Sequence, residues 1–208
     1  MFKLHYFQKS LGGIGADKDN DLDTFKILED LYSRSNRFYH NQGHISYCLS
    51  KFQKYRHLAD FPYEVEIAIW FHDAIYDTTS TDNEEKSTEL AQDKLSVLNV
   101  NVQSIDRIVE MILATKSHQA FTIDSKLMID IDLLILGAST PIFEKYDRNI
   151  RKEYTWVPQE VYLPKRIEVL QSFLDRNVIY QTQEIREQCE TKARNNISKK
   201  IEELSVNQ

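Results

Sequence analysis

Apolar residues recur at helical spacing along most of the chain. Between Asp21 and Tyr32 they fall at Leu22, Phe25, Ile27, Leu28 and Leu31, and from about Gln42 to Arg56 at Ile45, Leu49 and Phe52. This three-to-four-residue repeat is that of a helix with one packed face. Phe61-Pro62 opens a third helix, with proline in the favoured first turn, and "IAIWFHDAIYD" (67–77) rides on it. Asp82 or Asn83 can cap a fourth through Leu98, and Asn101 a fifth with Ile105, Ile108, Val109 and Ile112 inward. The sixth, "SKLMIDIDLLIL", should stop at Gly137; Thr140-Pro141 starts a seventh through about Tyr154, and Pro158 an eighth. Ile185, Cys189, Ile197, Ile201 and Leu204 mark a last packing helix. No stretch alternates like a strand. The pattern predicts an all-α, single-domain bundle of eight or nine helices. Residues 1–20, with their glycines and acidic side chains, are expected to be an arm or loop, 21–180 the body of the domain, and 181–208 a C-terminal packing helix of that same domain.

Composition narrows this picture without altering it. A length of 208 residues suits one generous domain, and five Gly with four Pro leave little room for a turn-rich β design. A net charge of -6 argues against a stable nucleic-acid partner or an anionic membrane surface. No apolar run reaches the 18 residues or so of a membrane span. Cys48 and Cys189 lie far apart in sequence and read as free thiols, which points to a cytoplasmic setting. Homo-oligomerisation is left open by the sequence.

The candidate chemistry sits where the pattern is least polar. Ile67 to Phe71 is an unbroken apolar run, and His72 and Asp73 follow it without a spacer. A buried carboxylate is costly unless it is protonated, paired or bound to a metal. His40 and His44 lie one helical turn apart, and His118 follows the fifth helix; His5 and His57 look incidental. Asp130 and Asp132 interrupt the sixth helix, and two positions rotate a helical side chain by about 200°, so only one of them can share a site with His72. Two imidazoles and two carboxylates converging from three helices would suit one divalent cation, Mn, Fe, Co, Ni, Zn or Mg, with no thiolate to select structural zinc.

The order His44, His72-Asp73 and then a late aspartate in a helical chain resembles the HD superfamily of metal-dependent phosphohydrolases. More narrowly, "RFYHNQGHI", "AIWFHDAIYD", "DNEEKS", "DIDLLILG" and "IRKEY" together are similar to an uncharacterised bacterial branch of predicted HD phosphohydrolases, over roughly residues 20 to 180. The resemblance implies an HD-type fold with His44, His72, Asp73 and Asp132 as metal ligands. Asp132 is preferred to Asp130 because the family's last aspartate commonly stands two residues before a leucine, here Leu134. It further implies hydrolysis of a phosphate ester or phosphoanhydride of a small metabolite, most plausibly a nucleotide, through a metal-activated water.

Around that core, Asp77 matches an acidic position that nucleotide hydrolases of the superfamily use beside the metal; it would lie one helical turn after Asp73 if the helix persists that far. Glu84 is a second proton-transfer candidate. Arg37, His40, His118 and Arg151 are candidates for holding substrate phosphate, with Lys116, Arg148 and Arg166 behind them. Tyr39, Tyr76 and Tyr154 could wall the pocket or stack on a base. Three rival readings keep the same residues: a non-catalytic nucleotide-binding sensor, a two-iron oxygenase of the same superfamily, which would need His40 and His118 as extra ligands, and a helical scaffold with a buried His-Asp pair.

Overall fold

Residues 1–17 and 19–206 are described by the computed structural model; Lys18, inside the stretch expected as a loop, lies outside them, as do the last two residues of the expected C-terminal helix. Among the described residues the chain forms ten α-helices, a 3-10 turn at Arg56–Leu58 and no strand. The all-α expectation holds, with slightly more helices than the pattern gave. The helices are α1 (Leu4–Gly13), α2 (Asp21–Tyr32), α3 (Gln42–Tyr55), α4 (Pro62–Phe71), α5 (Asn83–Val97), α6 (Val102–Ser117), α7 (Ile123–Leu133), α8 (Thr140–Glu153), α9 (Gln159–Leu174) and α10 (Gln183–Val206). No helix among the described residues is long and apolar enough to cross a membrane. Both cysteines are free thiols.

The chain divides into two compact units, Met1–Ile131 and Asp132–Gln208. The division falls inside α7, which belongs to the first unit except for Asp132 and Leu133. In the first unit α4 is the central element. Every residue from Glu64 to Phe71 is buried, so this helix has no solvent face, and its neighbours α1, α3, α5 and α6 pack around it. Its two internal carboxylates are buried with partners. Glu64 takes a two-pronged bond from Arg107 at 2.6 Å to each oxygen. Glu66 accepts from Ser10, Gln53 and Arg56. A buried carboxylate that lost those donors would be an uncompensated charge.

The N-terminal segment departs from expectation. Residues 4–13 form a helix, not an arm or loop, with Phe7 and Leu11 buried one turn apart against α4 and α2. Gly13 is what permits the close approach: a Cβ there would fall 2.1 Å from Cγ of Tyr63 on α4. Gly13→Ala is therefore expected to destabilise the protein by about 1–3 kcal/mol, the usual cost of overpacking, read as a lower urea midpoint at unchanged slope. On α2 the inward stripe is also shifted: Asp21 is buried and Leu22 is 43% exposed, because Gln8 of α1 donates to the Asp21 carboxylate.

The second unit is held by its own polar ties. Arg166 on α9 meets Asp147 on α8 at 2.9–3.0 Å, and Lys200 on α10 bonds Glu144 at 2.6 Å. Asn196 of α10 donates to the carbonyls of Leu136 and Ala138, closing the turn after α7. That helix runs from Ile123 to Leu133 and so begins and ends earlier than the expected stop at Gly137.

Candidate metal centre

Each ligand position is set by a local structural cause. The Asn41 side chain accepts from the Gly43 amide and donates to the carbonyls of Arg37 and Phe38, which caps α3 and places His44 in its first turn. α4 terminates at Phe71 with His72 as its C-cap, so Asp73 stands just outside the helix. Asp132 is in the last turn of α7. His44 and His72 are buried, at 3% and 2% exposure, and Asp73 and Asp132 are half-buried.

His44, His72, Asp73 and Asp132 each offer one donor atom, and the four atoms lie within 4.8 Å of one another. His44 Nε2 is 3.1 Å from His72 Nε2, and Asp73 Oδ2 is 3.3 Å from the first and 3.1 Å from the second. Ligands bound at about 2.1 Å are about 3.0 Å apart across a right angle and about 3.4 Å apart across a tetrahedral one. The spacing of these three donors fits a single small divalent cation, with the Asp132 carboxylate within 4.8 Å of each. Tautomer also fits: His72 Nδ1 lies 2.9 Å from the Ile69 carbonyl, which accepts only if Nδ1 carries the hydrogen, so the Nε2 lone pair faces the cluster. Metal-binding histidines are usually oriented in this way. Two neutral imidazoles and two carboxylates carry a charge of about -2, which a divalent cation cancels. The cluster can hold a metal ion, and the aspartate that joins it is Asp132. Asp130, wholly buried, does not take part.

In the metal-free protein burial pushes the Asp73 carboxyl upward, but positive charge on the protonated His72 and His40 rings and hydrogen bonds from His44 and His72 outweigh it and hold the group well below the usual carboxylate range. Such a group stabilises the folded state above its unfolded pKa of about 3.9, and that contribution is lost as pH falls below it toward the depressed folded value. In chelator, the stability of the wild-type protein should fall more steeply below about pH 4 than that of Asp73→Asn. Urea titrations across pH 2.5 to 6 check this, and parallel curves would refute it.

The remaining candidates are placed unevenly. Asp77 is not one helical turn beyond Asp73, because α4 ends at Phe71 and an irregular loop follows. Its exposed carboxylate accepts from the Thr79 amide and hydroxyl, and those bonds keep it below its ordinary pKa. Asn83 brackets the same residue, accepting from its amide and donating to its carbonyl. Neither expected cap of α5 acts as one: Asn83 is engaged with Asp77, and the Asp82 carboxylate turns to Ser80 and Lys86. Glu84 is half-buried in the first turn of α5. His40 stacks on Tyr76 with ring centroids 4.1 Å apart, and its ring is 5.7 Å from that of His44. His118 ends α6 in a left-handed conformation, φ 53°. Lys116 is tied to Glu85 and the Thr81 carbonyl. Arg151 donates to the Tyr154 and Val157 carbonyls beneath the Tyr162 ring, within the second unit. Arg37 is buried and donates to carbonyls.

Two further neighbours of the ligands went unassigned in the sequence. Cys48 Sγ lies 3.7 Å from His44 Nδ1, four residues on along the same helix face. Tyr32 donates to the Trp70 carbonyl at 3.0 Å; burial, reinforced by the Asp73 charge, raises its phenol well above the usual range. The i,i+4 spacing of His44 and Cys48 was a usable signal, whereas nothing in the sequence pairs Tyr32 with Asp73. No known family model matches the sequence, and no curated protein or solved structure does.

Proposed function

We propose that this chain is a metal-dependent phosphohydrolase of the HD type, acting on a phosphate ester or phosphoanhydride of a small metabolite such as a nucleotide. The observation that carries the reading is the cluster of two imidazoles and two carboxylates spaced for one cation. The ordered sequence blocks that resemble the HD superfamily agree with it. His44, His72, Asp73 and Asp132 would hold the ion. A divalent cation so held supplies a Lewis acid that makes water easier to deprotonate and draws charge from a phosphoryl oxygen. The chain's own contribution is to aim the His72 Nε2 lone pair at the cluster and keep Asp73 ionised, with the stacked His40 and Tyr76 rings beside His44. His40 stacks on Tyr76 outside the cluster, which supports a one-ion site over the two-iron reading.

A panel of nucleotides and simple phosphate esters, assayed with Mn, Co, Ni, Zn, Fe and Mg in turn beside the Asp73→Ala variant, tests the proposal. Metal-dependent release of phosphate by the wild type and not by the variant is the expected result. One observation favours a second reading, that of a nucleotide-binding sensor: Asp77, the first choice for proton transfer, is exposed and engaged by Thr79. Metal-dependent nucleotide binding with no turnover across the panel would select that alternative.

A further inference from the structure

Arg37 is a cation buried to 5% exposure in the first unit, and its fork is directed at backbone. Nη1 donates to the His40 carbonyl at 3.0 Å and to the Asp73 carbonyl at 2.6 Å, and Nη2 donates to the Ala74 carbonyl at 2.7 Å. The guanidinium is packed beside the rings of Tyr32 and Tyr76, 5.1 and 5.6 Å from their centroids. Two of the three carbonyls belong to the turn that carries Asp73, directly after His72, and the third belongs to the segment that leads through Asn41 into His44. One side chain therefore ties together the two backbone segments that carry three of the four ligands. The Asp73 and Ala74 carbonyls lie just past the end of α4, where no further helical turn is present to supply amide donors. Without the fork they would be buried acceptors in want of a donor, and the turn would be free to rotate to find one.

We infer that Arg37 is a positioning residue for the metal centre: it fixes the His72-Asp73 turn against the His40 loop and thereby sets the spacing of the ligand atoms, in place of the phosphate contact that the sequence suggested. The inference rests on the metal-binding reading above. A planar fork with two nitrogens can serve three carbonyls on two segments at once, which a single ammonium cannot do. Ligand sites need their donors held to within about 0.5 Å, so loss of the fork should be felt by the ion before it is felt by the fold.

The probe is Co2+, titrated into the full chain and followed by equilibrium dialysis and by its visible absorption, for wild type, Arg37→Ala and Arg37→Lys. The expected result is stoichiometric uptake by the wild type, affinity weakened about 10–100-fold in both variants, a changed absorption band, and return toward the wild-type band in Arg37→Ala when guanidinium is added well below denaturing concentration. Arg37→Lys carries the test if the alanine variant does not fold. Unchanged affinity and spectrum in a folded variant would overturn the assignment. So would weakened binding with a wild-type spectrum and no rescue, which is the signature of a purely structural residue. Absence of Co2+ uptake by the wild type is a separate outcome and would overturn the metal reading itself.

Discussion

His72→Ala should leave a folded protein that takes up no metal and hydrolyses nothing. Three consequences of the substitution converge. The donor facing His44 and Asp73 is removed, the Ile69 carbonyl loses its Nδ1–H partner, and a side chain at 2% exposure leaves a void. Losing an outer-sphere partner costs about 10–100-fold in metal affinity, and losing a ligand at the centre of the set should cost more. The measurement that checks this is stability against metal concentration. At a hundredfold excess over Kd the wild type should gain about 2.7 kcal/mol in urea unfolding, whereas His72→Ala should gain nothing. His72→Gln, which restores volume without an imidazole, should behave like the alanine variant toward metal while recovering part of its stability in chelator. A metal-dependent gain in either variant would place the ion elsewhere.

The largest expected loss of stability is at Trp70. Its indole is fully buried in α4, with Phe2, Phe7 and Phe25 at centroid distances of 4.9, 5.3 and 6.2 Å, partly edge-on. The cluster joins α1 and α2 to α4, and Tyr32 donates to the carbonyl of Trp70 itself. Truncation to alanine should cost about 3–5 kcal/mol, as for other large buried aromatics. That is a large share of the net stability of a typical domain. Trp70→Ala should unfold at much lower urea, and Trp70→Phe should recover most of the loss. A change within 1 kcal/mol for the alanine variant would mean that the N-terminal helix does not pack as described.

Helices with one packed face were legible from periodicity, and α2, α3 and α6 run close to where the apolar repeat put them, as α5 and α8 do to where their capping and proline residues put them. α1 was missed because Gly12 and Gly13 read as loop, although Phe7 and Leu11 already carried the i,i+4 signal. Tertiary contact with Tyr63 outweighed the poor helix propensity of glycine there. The far end of α4 was misjudged for the opposite reason: a helix buried on all sides has no stripe, so its terminus at Phe71 cannot be read from alternation. The four-residue cluster was legible through the order of His44, His72-Asp73 and Asp132, and the choice of Asp132 over Asp130 agrees with the geometry. The surrounding residues were not legible, because Arg37 and Asp77 carry the residue types of a phosphate site while their bonds go to local backbone and to Thr79. Residue type states what a side chain can bond, and only the fold states what lies within its reach.

The helix without a solvent face has a consequence for how the centre is lost. Amides from Val65 to Phe71, buried on every side, should exchange with deuterium only when the whole first unit opens, since no partial fraying exposes them. His72 and Asp73 continue directly from that slowest-exchanging segment. An ion seated there would slow exchange along that segment in step with the stability that its binding adds to the folded unit.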